Sequence, residues 1–198
     1  MSRSIKQGKL LPNDGSSLGI ITPSQDLILS QELLKNWQGR INNYQSKLLK
    51  GVSIDQQGSL FKEIERTAIE NFNPLTLSPL PLSFWRWPEA PFHGPAIYLV
   101  MDQLEDFNSH LLLYIGETIA ADRRWKGEHD CKAYLAAYSE ALGIAGLQSQ
   151  LSIRFWSDVP ENTRSRKKLE QQLIRRWLPP FNKETRTRWS TPFTAGIN

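Results

Sequence analysis

Residues 96–116 read AIYLVMDQLEDFNSHLLLYIG. Two short apolar runs, Ala96–Met101 and Leu111–Gly116, flank a polar stretch, Asp102–His110, that is typical of a hairpin loop. Nearly continuous apolar runs of this length are expected for strands that are buried on both faces. This stretch therefore predicts the first two strands of an antiparallel sheet, which fix the architecture of the C-terminal half.

The residues that follow predict how this sheet is completed and covered. Leu151–Phe155 alternates between apolar and polar residues, as a third strand does. Helical spacing predicts three helices, at Thr118–Trp125, Lys132–Leu142 and Arg164–Trp177, and the last is ended by a double proline. The order β-β-α-α-β-α predicts an α+β fold, with a small three-stranded, mainly antiparallel sheet flanked by helices.

The N-terminal half shows helical and proline-rich patterns rather than strand patterns. Ser30 is a candidate cap for a helix that runs to about Lys50, where Gly51 ends it, and a second helix is predicted over Ser59–Asn71. Residues 73–95 hold six of the twelve prolines, interleaved with aromatic residues, which predicts an extended segment that packs through those aromatics. We therefore expect a helical accessory region over residues 1–93, a core domain over 94–185 and a basic tail over 186–198.

Composition narrows the class of protein. The chain has 198 residues, of which 39% are hydrophobic, and its mean hydropathy is −0.44, which fits a globular protein rather than a disordered chain or a membrane bundle. No apolar run approaches the roughly 20 residues that span a bilayer, and the first 15 residues lack the apolar core of a signal peptide. We therefore expect a cytoplasmic protein with no membrane partner, and association with the nucleoid stays open. The single cysteine, Cys131, can form neither an internal disulfide nor a Cys-rich zinc site.

Positive charge is concentrated near the C-terminus. The chain has a net charge of +4, whereas residues 164–188 contain nine basic and two acidic residues, so this window carries +7 and the remainder −3. A basic surface on a slightly acidic body favours a polyanionic partner. A solvated helix face followed by a charged tail explains the same pattern, and composition does not decide between the two.

Five polar residues occur in a distinctive order in the C-terminal half. Tyr98 lies in the first predicted strand, Tyr114 in the second, Arg124 on the next helix, Glu170 on the last helix, and Asn182 just after the double proline. This order over residues 94–183, and above all the stretch YIGETIAADRRWK at 114–126, resembles the GIY-YIG nuclease family. The chain departs from that pattern by an alanine at the first position of the GIY motif and by a longer loop between the two tyrosine motifs.

The resemblance implies a divalent-metal-dependent endonuclease that hydrolyses phosphodiester bonds in DNA, with RNA not excluded and a homodimer left open. It implies that Glu170 binds Mg²⁺ or Mn²⁺, because a carboxylate is a hard oxygen ligand suited to these ions. It also implies that Arg124 holds a phosphate oxygen and that Tyr98 accepts a proton from the attacking water. Tyr114 would position the water or the phosphate, and Asn182 would fix the phosphate or orient a tyrosine.

The sequence alone leaves other roles open for these residues. The tyrosines are also ordinary strand-packing residues, Glu170 could pair with Arg166 on the surface of its helix, and Arg123 competes with Arg124 for the phosphate role. Asn182 is equally a turn residue. His129 lies near the position at which many family members carry a histidine, so it is a further candidate catalytic residue.

The candidate nucleic-acid-binding residues are those whose charge would contact phosphates without reading sequence. They are Arg123, Lys126, Lys167, Lys168, Arg175, Arg176, Lys183, Arg186 and Arg188. The alternative to an endonuclease is a protein of the same fold that binds nucleic acid without cleaving it, and a third class is a pure interaction scaffold.

Overall fold

The centre of the molecule is an antiparallel sheet. The structure, a computed structural model, describes residues 30–51, 69–104, 107–126 and 130–193. Within these ranges the sheet has four strands in the order β1-β4-β2-β3. They are β1 (Leu80–Pro81), β2 (Ala96–Leu104), β3 (Ser109–Thr118) and β4 (Gln150–Trp156).

The α+β prediction is confirmed, but the prediction of three strands is wrong. The fourth strand, β1, has two residues, and it pairs Leu80 with Ile153 and Pro81 with Ser152 of β4. The sequence did not indicate β1, because it contains Pro81, and a proline has no N–H to donate to a neighbouring strand. At the edge of a sheet, however, the missing N–H is tolerated.

The hairpin between β2 and β3 is longer than predicted, and its loop is shorter. Both strands continue into the polar stretch, as far as Leu104 and from Ser109, so residues 102–104, 109 and 110 are not in a loop. Asp102 is completely buried there, and its carboxylate accepts hydrogen bonds from the Tyr138 hydroxyl at 2.6 Å and the Gln150 N–H at 2.8 Å. A charged residue in a buried strand is stable only with such partners, which come from distant residues and leave no local signal.

Helices cover the sheet and its free edge. Four α-helices lie within the described ranges, and no helix there is both long and apolar enough to cross a membrane. They are α1 (Gln31–Leu49), α2 (Ala121–Arg124), α3 (Asp130–Ile144) and α4 (Thr163–Trp177). Single 3₁₀ turns occupy Pro74–Thr76, Phe84–Arg86 and Arg186–Trp189.

Most predicted helix ends are confirmed. The Ser30 side chain accepts a hydrogen bond from the Leu33 N–H, and Gly51 follows α1 with a φ of 72°, the left-handed conformation that glycine permits. The helix predicted at Thr118–Trp125 is a single turn, because Thr118 still pairs with Ala96 in the sheet. Most of the helix predicted at 59–71 lies outside the described residues, although residues 69 and 70 are helical.

Each face of the sheet carries its own apolar core. Leu173, Ile174 and Trp177 of α4 pack on one face against side chains such as Ile97 and Ile115. On the other face, residues of α1 and α3 pack with Tyr98 and Phe155; they include Leu34, Trp37, Ile41, Tyr134 and Tyr138. Residues 186–193, predicted as a basic tail, contribute Trp189 and Phe193 to that second core. The division of the chain into three units stays a prediction.

Candidate active site

Tyr98 lies directly over Gly116. The two residues face each other across β2 and β3, and Tyr98 is completely buried. A Cβ atom at Gly116 would overlap the Cζ and Oη atoms of Tyr98. The glycine of the YIG motif is therefore required for the phenol of Tyr98 to cross the neighbouring strand.

The Tyr98 hydroxyl meets a guanidinium from the next helix. The Nε–H of Arg124, on α2, donates a hydrogen bond to this oxygen at 3.3 Å, and its Cζ lies 5.9 Å from the centroid of the phenol ring. Arg123 behaves differently, because its side chain is 78% exposed and lies 3.6 Å from the Asp122 carboxylate. The structure thus selects Arg124 over Arg123 as the arginine of this cluster, and Arg124 is itself exposed to solvent.

Tyr114 is the second phenol of the cluster. Its ring stacks on that of Tyr98, with centroids 6.0 Å apart and planes inclined by 27°, and the two hydroxyls share a hydrogen bond. Burial raises the pKa of Tyr98, while the adjacent Arg124 lowers it. Burial raises the pKa of Tyr114 further, with added contributions from Tyr98 and from the charge of Glu170. Both phenols are therefore protonated at neutral pH, and Tyr98 is the easier of the two to ionise.

Glu170 approaches the cluster from α4, at the open edge of β3. The backbone N–H of Glu117 donates a hydrogen bond to its Oε1 at 3.0 Å. Partial burial, the nearby Glu117 carboxylate and Glu184 raise the pKa of Glu170 to about 7, against the lowering effects of that hydrogen bond and of Lys167. The body of α4 packs on the sheet face opposite Tyr98, so Glu170 reaches the end of β3 at its edge, and its charge contributes to the raised pKa of Tyr114.

The sequence did not predict an ion pair between Arg166 and Glu117, the residue whose N–H binds Glu170. Arg166 is completely buried, and its Nε–H donates to Oε2 of Glu117 at 2.9 Å. Its Nη1 donates to the carbonyl oxygens of Pro160 and Glu161 at 3.0 and 2.9 Å. The alternative in which Glu170 pairs with Arg166 on the surface of its helix is therefore wrong, because Arg166 is buried and pairs with Glu117. The sequence held one signal for this ion pair: position 166, four residues before Glu170, falls on the apolar face of the helix, where an arginine is unexpected.

Asn182 holds the backbone of β3. Its side-chain Oδ1 accepts from the Ile115 N–H at 2.9 Å, and its Nδ2 donates to the Ile115 carbonyl at 2.8 Å. Gln45 of α1 makes the same pair of bonds to Leu112. Asn182 is 3% exposed, so it acts on the strand that carries Tyr114 rather than on a phosphate. These amides satisfy an edge that would otherwise present unpaired backbone groups.

The candidate phosphate-binding residues are spread over several surfaces. Lys167 is next to Glu170, whereas Lys168 and Arg175 lie about 160° and 140° from Glu170 around α4, on the outer face of the helix. Arg176 donates to the Glu70 carbonyl, and Arg186 contacts the Tyr134 hydroxyl. The remaining candidates on described residues are exposed; they are Lys126, Lys183 and Arg188. His129 lies outside the described residues.

A divalent cation is compatible with the residues present. Within the described part of the chain no three His, Cys, Asp or Glu side chains form a ligand group. Mg²⁺ does not require one, because it commonly keeps several waters and binds through one or two carboxylates and the substrate phosphates. Glu117 is held by Arg166, so Glu170 is the side chain suited to hold the ion. Burial and then the Glu117 carboxylate raise the pKa of Glu170, and a cation bound there would favour its charged form.

No family model, curated protein or solved structure matches the chain.

We expect Gly116→Ala to destabilise the protein by about 1–3 kcal/mol, because the new methyl group displaces the buried phenol of Tyr98. Thermal unfolding measures this loss. Gly143→Ala is the matched control, since a Cβ there meets nothing within 4 Å and alanine favours the helix, so its melting temperature should be unchanged or higher. Equal melting temperatures for the wild type and Gly116→Ala would contradict the close approach of the two strands at this point.

Proposed function

We propose that this protein is a divalent-metal-dependent endonuclease of the GIY-YIG type that hydrolyses phosphodiester bonds in DNA. One observation carries the proposal: Tyr98 lies over Gly116 and is bonded to Arg124, and the N–H of the adjacent Glu117 holds the carboxylate of Glu170, so residues 72 positions apart in the chain meet at the end of β3. The resemblance to that family noted in the sequence supports the assignment of the reaction and of DNA as the substrate.

Each residue has a role that follows from its position. Arg124 is exposed and always charged, so its guanidinium can hold a non-bridging phosphate oxygen and stabilise the charge that develops on it. Tyr98 receives hydrogen bonds from Arg124 and Tyr114, and both favour its ionised form. It is therefore the phenol assigned to orient the attacking water, and its ionised form would accept the proton of that water. A divalent ion held by Glu170 would supply charge neutralisation at the leaving oxygen.

Gln45 and Asn182 contribute indirectly. By pairing with the open backbone groups of β3, they fix the strand on which Tyr114 and Gly116 lie. A strand edge that is held in this way keeps the phenol of Tyr114 at a constant position relative to Tyr98. We therefore assign them as positioning residues.

The second candidate is a nucleic-acid-binding protein of the same fold that does not cleave. The specific observation in its favour is that Tyr98 has no exposed surface and that burial raises its pKa, away from the range of a proton acceptor at neutral pH. The intact set of Tyr98, Tyr114, Arg124 and Glu170 favours the endonuclease.

The test is nicking of supercoiled plasmid in the presence of Mg²⁺. We expect the wild type to produce open circles, and Arg124→Ala to lower the initial rate by about 10²–10³-fold. Arg123→Ala is the matched control, because its side chain points into solvent beside Asp122, and it should retain most of the activity. Absence of cleavage by the wild type on plasmid, single-stranded and branched DNA and RNA would overturn the endonuclease in favour of the binding protein.

A further inference from the structure

A short aromatic segment is anchored beside the candidate active site. This segment, Phe84–Phe92, is called the aromatic strap here. Phe84 is buried and packs edge-on against Phe155 at 5.3 Å, and Phe92 packs on the same ring at 5.3 Å. Phe155 in turn lies 6.2 Å from the ring of Tyr98. Both ends of the strap are thus fixed to the side chain that supports the central phenol of the site.

A backbone contact ties the residues after the strap to the helix that carries Arg124. The carbonyl of Gly94 accepts a hydrogen bond from the N–H of Ala121, the first residue of α2, at 2.9 Å. Pro88 and Pro91 restrict the backbone of the strap itself. Its exposed residues are therefore held in place before any ligand binds, which lowers the conformational entropy lost on binding.

Between its two anchors the strap exposes a tryptophan next to an arginine. Trp87 is 44% exposed, which is unusual for so large an apolar ring. Arg86 is exposed, and its guanidinium lies 5.0 Å from the centroid of the Trp85 ring. Trp87 offers an exposed aromatic face on which a nucleobase can stack, and the exposed guanidinium of Arg86, which rests on Trp85, offers a cation for a phosphate of the same strand.

We propose that Trp87 and Arg86 bind an unpaired nucleobase of the substrate close to the cleaved phosphate. This inference rests on the proposed function and specifies its substrate class: DNA that is single-stranded, gapped or branched next to the cut. A base presents its π-face to a protein ring only when it is unstacked, so a fully paired duplex gains little from Trp87. The strap is joined to Tyr98 through Phe155, and Gly94, two residues after it, is bonded to the first residue of α2, so the contact belongs to the nucleotides that flank the cleaved phosphate.

The experiment measures binding separately from cleavage. Fluorescence anisotropy of a labelled 20-nucleotide oligo(dT) and of a blunt duplex is recorded in EDTA with the full chain. We expect Trp87→Ala to weaken oligo(dT) binding by roughly 10–100-fold and to leave duplex binding unchanged. Trp87→Phe should restore most of the affinity, because phenylalanine keeps an aromatic face. Ile144→Ala, which alters a side chain that is 61% exposed at the end of α3, is the matched control and should bind like the wild type.

The outcomes separate this inference from the proposed function. Unchanged oligo(dT) binding by Trp87→Ala, or an equal loss with Ile144→Ala, overturns the base-binding role even if the wild type nicks plasmid. Trp87-dependent binding without any cleavage supports the base-binding role while the endonuclease proposal fails. Equal melting temperatures for Trp87→Ala and the wild type show that the loss of affinity is not a loss of fold. Weak binding of oligo(dT) by the wild type overturns the base-binding role, and the nicking assay then decides the endonuclease separately.

Discussion

Glu170→Gln is expected to lower the rate of plasmid nicking by about 10³-fold or more, because an amide cannot hold a divalent cation as a carboxylate does. The glutamine keeps an oxygen that can accept the Glu117 N–H, so the edge of β3 stays closed. Binding of oligonucleotides in EDTA should be retained.

The same substitution is expected to leave the fold as stable or to stabilise it. The pKa of Glu170 is raised from 4.5 to about 7, mainly by burial and then by Glu117, so folding disfavours its charged form. This group therefore contributes fully to stability below pH 4.5, and that contribution is lost as the pH rises through about 7. Glutamine does not ionise, so the advantage of the variant should grow across this window to about 1–2 kcal/mol, after allowance for solvent screening.

Urea unfolding at pH 5 and pH 8 measures this difference. Glu140→Gln is the matched control, because Glu140 is an exposed acid on α3 and should be dispensable for nicking. If Glu170→Gln is destabilised at pH 8 and still nicks plasmid at the rate of the wild type, Glu170 only closes the strand edge and the metal role is wrong.

Arg166→Met is expected to cost about 3–5 kcal/mol of unfolding free energy, because it leaves the Glu117 carboxylate without its buried partner. The substitution also removes the donors to the Pro160 and Glu161 carbonyls, which hold the chain that leads into α4. Since the Glu117 N–H binds Glu170, we expect cleavage by the folded fraction to fall as well. Urea unfolding and nicking at a temperature below the transition provide the two readouts.

Two variants make this result interpretable. Arg164 lies on the same helix and its side chain is exposed, so Arg164→Met should change the free energy of unfolding little. The double variant Arg166→Met with Glu117→Leu removes both charges and should recover much of the lost stability, since an apolar pair can replace a buried ion pair. If Arg164→Met and Arg166→Met are equally stable, the ion pair does not contribute to the fold.

Local sequence pattern was sufficient for the elements that carry the site. The apolar runs around Tyr98 and Tyr114 predicted β2 and β3, because strands buried on both faces need continuous apolar residues. Helical spacing predicted α4 to within one residue, and the Ser30 cap predicted the start of α1. These features depend on residues that are close together in the chain, so they can be predicted without knowledge of the tertiary structure.

The burial of polar residues whose partners are distant in the chain could not be predicted from local sequence pattern. Arg166 and Asp102 look like surface residues, yet both are buried, with partners that lie 49 and 36 residues away. Arg123 and Arg124 are adjacent and chemically identical, and only the direction of a single helical turn distinguishes them.

By itself, the sequence determined the α+β class, the order of the main elements and the chemical character of the candidate residues, since periodicity and residue type are local properties. Only the tertiary structure decided that Arg124 and not Arg123 reaches Tyr98, that Asn182 holds a strand, and that Glu170 arrives at the free edge of β3. The physical reason is that buried polar groups must find partners, and the fold supplies those partners from positions distant in the chain.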